Sequence, residues 1–232
     1  MKNLILLFVF LQLFHSCQDK KLDWGQVQLP IALDSISKNY EVLPYYEYPN
    51  QKMDLYKSYD KDLLNFDGVG LAEKDIIDNS AILYVSKSSK KVVAVSLFTE
   101  DAKKTDALVK KLEEKLGPTD YHYYYKNDAL PSRDRIWKKA NNYYTLRLND
   151  VAYIFDKKTK TAILTIFYAS PDNPFVKWWF YEGGDFSGFY GQYLDEKSKP
   201  EHKNDNYTYK DFVEQMDREN KNFGTTSRDY VK

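Results

Sequence analysis

Residues 81–118 read AILYVSKSSKKVVAVSLFTEDAKKTDALVKKLEEKLGP. The segment opens with two apolar, β-prone runs at 81–85 and 92–98, and the polar sequence KSSKK lies between them. That pattern is typical of a β-hairpin. The second run is apolar almost without interruption, as expected for a strand that is covered on both faces. We therefore predict a hairpin whose second strand lies inside a sheet.

An amphipathic helix is predicted directly after this hairpin, over about residues 101–116. Its apolar residues recur at intervals of three and four and so share one face, while lysine and glutamate fill the other face. Thr99 or Asp101 can cap the first turn. Gly117-Pro118 ends the helix, because glycine accepts a left-handed conformation and proline cannot continue the helix. The apolar face consists of Ala102, Thr105, Leu108, Val109, Leu112 and Leu116.

Five short strands are predicted after the helix, and short polar gaps separate the last four of them. Such gaps favour an antiparallel meander. We therefore predict an α+β fold, in which a ββ-α-βββββ sheet carries the helix on one side and a further helix follows near the C-terminus. The five predicted strands are 121–126, 135–139, 143–148, 151–156 and 161–169.

The N-terminus combines a short positive segment with an apolar run at 4–14 that is too short to span a membrane. His15-Ser16-Cys17 follows, and Cys17 is the one cysteine of the chain. The segment resembles a bacterial lipoprotein signal peptide, although Phe14 and His15 depart from the usual leucine and small residue. The resemblance covers 17 residues. It implies removal of residues 1–16, acylation of Cys17 and anchoring in the cell envelope, at the outer membrane if the cell has one. The alternative is an ordinary secretory signal with a chance cysteine.

We expect residues 17–23 to form a lipidated tether of at most about 20 Å. A single α+β domain is predicted over 24–221, followed by a flexible tail at 222–232. Within this domain, residues 24–31 are strand-like, and Pro44 confines any strand at 41–48 to a sheet edge. The last helix is predicted from about Tyr209 to Asn220, with Thr208 as its N-cap and Asp211 three residues later.

Residues 175–193 read FVKWWFYEGGDFSGFYGQY and contain four of the nine glycines. That composition predicts a turn-rich aromatic segment rather than a regular helix. Two roles are open: the rings either pack against the sheet and close the core, or form a platform for a protein or a sugar. The candidate ligand- or partner-binding residues are Trp178, Trp179, Tyr181, Phe186 and Tyr190.

The sequence offers no constellation for catalysis, for a metal or for a cofactor. Once Cys17 is assigned to the anchor, the mature chain retains His122 and His202, which are far apart in sequence, so neither a zinc site nor a histidine-assisted nucleophile is predicted. Glu182 and Asp185 lie near the tryptophan pair, as in a glycosidase cleft, but are interpreted as acidic loop residues. A formal net charge of zero gives no electrostatic footprint for nucleic acid.

The function predicted from these features is that of a non-catalytic, lipid-anchored envelope protein. Its partners would be the membrane, through the N-terminal lipid, and an envelope protein. Roles in envelope assembly or as a toxin-neutralising immunity factor fit such a binding module. The alternative is a surface lipoprotein that binds or processes carbohydrate through the Trp178/Trp179 region.

Overall fold

The computed structural model describes residues 21–46, 52–72, 79–119, 121–125, 132–154, 156–181, 185–202 and 205–219. The predicted signal peptide, Cys17 and the predicted tail at 222–232 lie outside these residues. Within them, the α+β class is confirmed, because one antiparallel sheet carries helices.

Eleven strands are found in the described residues. β4 and β5 form a small separate hairpin, and the other nine belong to one sheet. The strands are β1 (Ile31–Ala32), β2 (Leu43–Tyr45), β3 (Met53–Ser58), β4 (Asn65–Phe66), β5 (Val69–Gly70), β6 (Ala81–Ser86), β7 (Lys91–Thr99), β8 (Tyr121–Tyr125), β9 (Ser132–Lys139), β10 (Asn142–Ile154) and β11 (Lys157–Tyr168).

The large sheet has the strand order β2-β3-β6-β7-β11-β10-β9-β8, and β1 pairs with the start of β7. The chain leaves β7 at the centre, crosses to the β8 edge and returns as a meander to place β11 beside β7. β7 is therefore an internal strand, as predicted, and most of its residues are buried. β2, which contains Pro44, lies at the opposite edge, also as predicted.

Five α-helices are found in the described residues: α1 (Asp34–Ser37), α2 (Ala102–Leu116), α3 (Pro174–Tyr181), α4 (Asp185–Lys197) and α5 (Tyr209–Arg218). Asp101 caps α2 by accepting a hydrogen bond from the Lys104 N–H at 2.7 Å, and Gly117 ends the helix with φ +80°. Thr208 and Asp211 cap α5 reciprocally, since each side chain accepts a hydrogen bond from the other residue's backbone N–H. None of these helices has both the length and the apolar character needed to cross a membrane.

The sheet separates two hydrophobic cores. On one face, Leu108, Leu112 and Leu116 of α2 pack against alternate strand residues such as Leu83, Leu97, Leu146 and Leu164. On the other face, α3, α4 and α5 pack against Tyr84, Ala94, Tyr143 and Phe167. The alternation within β10 thus sends Tyr144 and Leu146 to the first core and Tyr143 to the second.

Two predicted elements in the second half of the chain differ in the structure. The predicted strands 143–148 and 151–156 form one strand, β10, because Asn149-Asp150 adds a register shift against β11 instead of a turn. The prediction of a turn-rich segment for 175–193 is wrong, since α3 and most of α4 occupy it. Gly191 lies where an added Cβ would be 2.6 Å from the Phe180 carbonyl oxygen, so this glycine permits close helix packing rather than a turn.

The strand predicted for 24–31 is wrong, because only Ile31 of these residues belongs to a strand, β1. The start of the domain instead forms hydrogen bonds with the β4–β5 hairpin. The Asp23 carboxylate accepts hydrogen bonds from the backbone N–H groups of Gly25, Asp67 and Gly68. Trp24 is 1% exposed, and its indole N–H donates to the Leu63 carbonyl at 2.8 Å. The described fold therefore includes Leu22 and Asp23, the last two residues of the predicted tether.

Candidate ligand-binding site

A recess opens where α3 meets the sheet face that carries the second core. Its volume is ≈ 20 Å³, and it is lined by Thr145, Arg147, Ile163, Thr165 and Trp179. Cross-strand pairing explains why these residues meet: Thr145 lies opposite Thr165, and Arg147 lies opposite Ile163. All four strand residues lie on the same face as Tyr143 and Phe167 because side chains alternate along a strand.

Trp179 forms the helical wall of this recess. One face of its indole stacks on Phe175, with ring centroids 5.4 Å apart and planes inclined by 16°. Its Nε1 is buried and has no hydrogen-bond partner among the described residues. The indoles of Trp24 and Trp137, in contrast, donate to the carbonyls of Leu63 and Gly117. An unsatisfied buried donor costs about 1–3 kcal/mol.

An ion pair lies at the mouth of the recess. Arg147, whose side chain is 49% exposed, places Nε 3.5 Å from Oδ2 of Asp134, whose side chain is 7% exposed. Burial raises the pKa of Asp134 to about 6, and the nearby Arg147 guanidinium only partly opposes this shift. The other carboxylate oxygen, Oδ1, is buried without a hydrogen-bond partner in the described residues. The pair uses Nε of Arg147, which leaves the terminal guanidinium nitrogens for other acceptors.

The floor of the recess is polar although it is buried. Thr145 and Thr165 are 2% and 1% exposed, and the Thr165 hydroxyl shares a 2.8 Å hydrogen bond with the Ser96 hydroxyl. The residues that line the recess include no histidine, cysteine or lysine. Threonine hydroxyls can both donate and accept hydrogen bonds.

The aromatic residues predicted as a binding platform occupy different environments. Tyr190 is 3% exposed in the second core, and Trp178 and Trp179 are half-buried against it. Tyr181 is 49% exposed and donates its hydroxyl to Asp195 at 2.7 Å. Burial and this carboxylate raise the pKa of the Tyr181 phenol. Phe186 lies in α4, but its side chain is outside the described part of the chain. Trp179 is therefore the residue of this set that lines the recess.

Sequence reasoning did not identify Asp134, Thr145, Arg147 or Thr165 as site residues. The alternation of Tyr143, Thr145 and Arg147 against three apolar residues does place a polar pair on one strand face. It does not reveal that Trp179 lies above that face, because the contact joins segments more than thirty residues apart in the sequence.

One group with metal-like spacing occurs within the described residues: Glu196, Glu201 and His202. Two of its three candidate metal ligands, Glu196 and His202, already have protein partners. Lys199 lies 2.7 Å from Glu196 and lowers the pKa of that carboxyl, while His202 Nδ1 lies 3.0 Å from Asp205. The His202 ring also stacks on Tyr207 at 3.8 Å, and its side chain is 16% exposed. We assign no metal to this group.

A second surface feature lies at the β2 edge of the sheet. Leu43 and Tyr59 are each 51% exposed, and the Lys57 ammonium lies 5.3 Å and 4.9 Å from the ring centroids of Tyr45 and Tyr59. The pairing of Leu43 with Lys57 places these side chains on one face. We refer to Leu43, Tyr45, Lys57 and Tyr59 as the edge patch.

No protein-family model matches this chain, and comparisons with curated proteins and with solved structures find no significant match.

Proposed function

We propose that this chain is a lipid-anchored protein of the bacterial cell envelope and that its α+β domain is a non-catalytic binding module for an envelope protein. The observation that carries the proposal is the position of Cys17, the one cysteine of the chain, at the end of a segment that resembles a lipoprotein signal peptide. The backbone N–H of Trp24 donates to the Asn65 carbonyl in β4, and the Asp23 carboxylate accepts from the Asp67 N–H in the hairpin turn. These contacts support the proposal, because the fold begins a few residues after that cysteine.

The short tether determines where the domain would act. Leu22 already packs against the first core, so residues 18–21 alone separate it from Cys17. Five Cα–Cα steps span roughly 18 Å at most. The acyl chains of a lipoprotein together hold a protein stably, whereas one chain gives only marginal binding. The domain would therefore stay close to the membrane surface, at the outer membrane if the cell has one.

The edge patch supports a protein as the partner. Tyrosine is enriched in protein–protein interfaces, where its ring supplies contact area and its hydroxyl a hydrogen bond. Tyr59 and Leu43 are half-exposed beside an edge strand, and Lys57 adds a charge between the two tyrosine rings. A partner with an apolar surface bordered by carboxylates would complement this patch. Envelope assembly and toxin neutralisation are both consistent with such a contact.

The anchor is tested by replacing Cys17. The Cys17→Ser chain should lose metabolic labelling with an acyl-chain analogue and should move from the membrane fraction to the soluble fraction. Lys20→Ser provides a matched change in the tether and should leave both properties intact. Acyl labelling that persists in Cys17→Ser would contradict the lipoprotein assignment.

The partner is tested by photo-crosslinking in the native envelope. A photoreactive residue at Leu43 should capture one partner protein in the acylated chain, and the yield should fall in the Cys17→Ser background. The same residue at the exposed Lys103, on α2 and across the sheet, serves as the control position. Equal capture from both positions, or no adduct from position 43, would contradict a partner site at the edge patch.

The second candidate function is carbohydrate binding by the same anchored protein. It is favoured by the recess at Trp179, where threonine hydroxyls line the floor and a buried indole N–H has no hydrogen-bond partner in the part of the chain that the structure describes. Saturable glycan binding that Trp179→Phe abolishes would support this function. Absence of glycan binding by the folded chain would eliminate it and leave the protein partner.

A further inference from the structure

The β10–β11 pair continues beyond the rest of the sheet as a two-stranded arm. β9 accompanies β10 only as far as Asn149, and β7 accompanies β11 only as far as Ala162, whereas β10 and β11 stay paired to Ile154 and Lys157. We refer to residues 150–160 as the arm, which has no neighbouring strand on either side within the described residues. The five residues after Asn149 extend β10 by up to about 17 Å.

We propose that the arm rests on the lipid bilayer that holds the acylated Cys17, with Tyr153 at the level of the headgroups and Lys157 and Lys158 against lipid phosphates. The inference rests on the lipid anchor proposed above and adds to it, because it specifies which surface of the domain faces the membrane.

The arm projects from the end of the sheet at which β3 finishes. Ser58, the last residue of β3, lies opposite Ala81, and Ala81 lies opposite Leu97 in β7. Thr99, at the end of β7, lies opposite Ala162, where β11 leaves the arm and joins the sheet. β3 and β11 are three strand spacings apart in the sheet order, which corresponds to roughly 14 Å.

The N-terminal segment joins the fold just after that end of β3, at the 3₁₀ helix Lys61–Leu63. The Leu63 carbonyl accepts the Trp24 indole N–H, and the Lys21 ammonium lies 3.4 Å from the Asp62 carboxylate. The roughly 18 Å that the chain can span between the lipidated cysteine and the first packed residue is comparable to the length of the arm. The lipid and the tip of the arm can therefore reach one membrane surface at the same time.

The side chains of the arm suit the boundary between water and lipid. Tyr153 is 64% exposed and lies opposite the exposed Lys158, while Ile154 lies opposite the exposed Lys157. Directly opposite residues share one face of a β-ribbon, so each face carries an aromatic or apolar side chain beside a lysine. Tyrosine is enriched at membrane interfaces, and lysine keeps its ammonium at the headgroups while its methylene stem covers apolar surface.

Contacts with α2 hold the base of the arm in place. The Thr159 hydroxyl donates to the Glu100 carbonyl at 2.9 Å, and the Lys160 ammonium lies 2.7 Å from the Asp106 carboxylate. An isolated two-stranded ribbon is only marginally stable in water. A bilayer that covers the apolar side chains beyond this base would therefore stabilise the arm.

The experiment measures how close two positions of the acylated chain lie to lipid. The full-length chain is purified from the envelope with a fluorescent amino acid at position 153, or at position 89 in the β6–β7 turn at the opposite end of the sheet. It is reconstituted in vesicles of phosphatidylethanolamine and phosphatidylglycerol that contain a headgroup spin label. We expect the spin label to quench the emission from position 153 and to leave the emission from position 89 unchanged.

The two lysines are tested together with a matched pair. Lys157→Gln with Lys158→Gln should restore emission from position 153, because each lysine near the lipid surface changes the contact equilibrium roughly fivefold. Lys91→Gln with Lys139→Gln removes two exposed lysines at the opposite end of the sheet and should leave the quenching unchanged. Equal recovery in both double variants would overturn the contact between the arm lysines and lipid phosphate.

The remaining outcomes separate the arm from the anchor. Absence of quenching at position 153 in an acylated, vesicle-bound chain would overturn the arm contact and retain the anchor. Shielding of position 153 from aqueous iodide without quenching by the lipid spin label would also overturn it, and would identify a second copy of the chain as the cover. A chain without acyl groups by mass spectrometry, still quenched at position 153, would overturn the anchor and retain the arm contact.

Discussion

At the scale of single residues, buried polar groups distinguish the recess from the rest of the second core. Asp134 is 5% exposed, and its carboxyl pKa is raised to about 6 because burial disfavours the charged form more than Arg147 favours it. Trp179 retains a buried donor without a partner in the described residues. Such groups lower the stability of the fold, because burial removes their contacts with water without full compensation.

The raised pKa of Asp134 predicts a pH dependence of stability. Between about pH 4 and pH 6 the folded state binds the proton more tightly than the unfolded state does, so the free energy of unfolding falls as the pH rises through this window. A shift from 3.8 to about 6 corresponds to about 3 kcal/mol. Asp134→Asn should remove this decrease, as measured by urea unfolding between pH 4 and pH 7.

Asp106→Asn is the matched control for this measurement. Asp106 is paired with Lys160, and its side chain is 62% exposed, so its removal should leave the pH profile close to that of the parent chain. An unchanged pH profile in Asp134→Asn would show that another group is responsible for the dependence.

At the scale of elements, the best sequence predictions concern segments whose pattern repeats over several turns. The helix predicted over 101–116 is α2, and both its cap and its glycine stop are confirmed. The prediction of turns in the aromatic segment 175–193 was wrong because glycine can have either of two roles. It permits turns, and it permits two backbones to approach closely. In α4, Gly191 has the second use, since it packs against Phe180 of α3.

This contact between α3 and α4 predicts that adding one methyl group at Gly191 strongly lowers the free energy of unfolding. Gly191→Ala would place Cβ 2.6 Å from a backbone oxygen of Phe180, so the helices must separate, and we expect a loss of about 1–3 kcal/mol in the free energy of unfolding. Gly70→Ala is the control, because nothing lies within 4 Å of its added Cβ. Urea unfolding compares the two, and equal stabilities would contradict close packing at Gly191.

At the scale of the whole molecule, the sheet is covered on one face by α2 and on the other by α3, α4 and α5. The first core includes residues from the start of the described chain, because Trp24 is 1% exposed among them. Leu22, Asp23 and Trp24 are thus part of the fold, and the first two of them belong to the predicted tether. The lipid would be joined to the core itself by very few residues.

This arrangement predicts where the chain can be shortened. Removal of residues 1–21 should leave the thermal midpoint almost unchanged, since it deletes only the exposed Lys21–Asp62 pair from the described contacts. Removal of residues 1–25 also deletes Asp23 and Trp24. It should lower the free energy of unfolding by at least about 3 kcal/mol, the typical cost of losing a buried aromatic side chain. Equal stabilities of the two forms would contradict the role of this segment.

The sequence alone determined the α+β class, the β6–β7 hairpin, α2 with its caps, the capped start of α5 and the edge position of β2. These features depend on hydrophobic periodicity, on helix capping and on the exclusion of proline from inner strands. All three effects act between residues close together in the chain. The tertiary structure decided that Asn149-Asp150 continues a strand, that residues 174–197 contain two helices, and that Trp179 lies over Thr145, Arg147 and Thr165. Those outcomes depend on strand register and on where the helical layer ends. Both are settled by packing between distant segments, so no local pattern in the sequence encodes them.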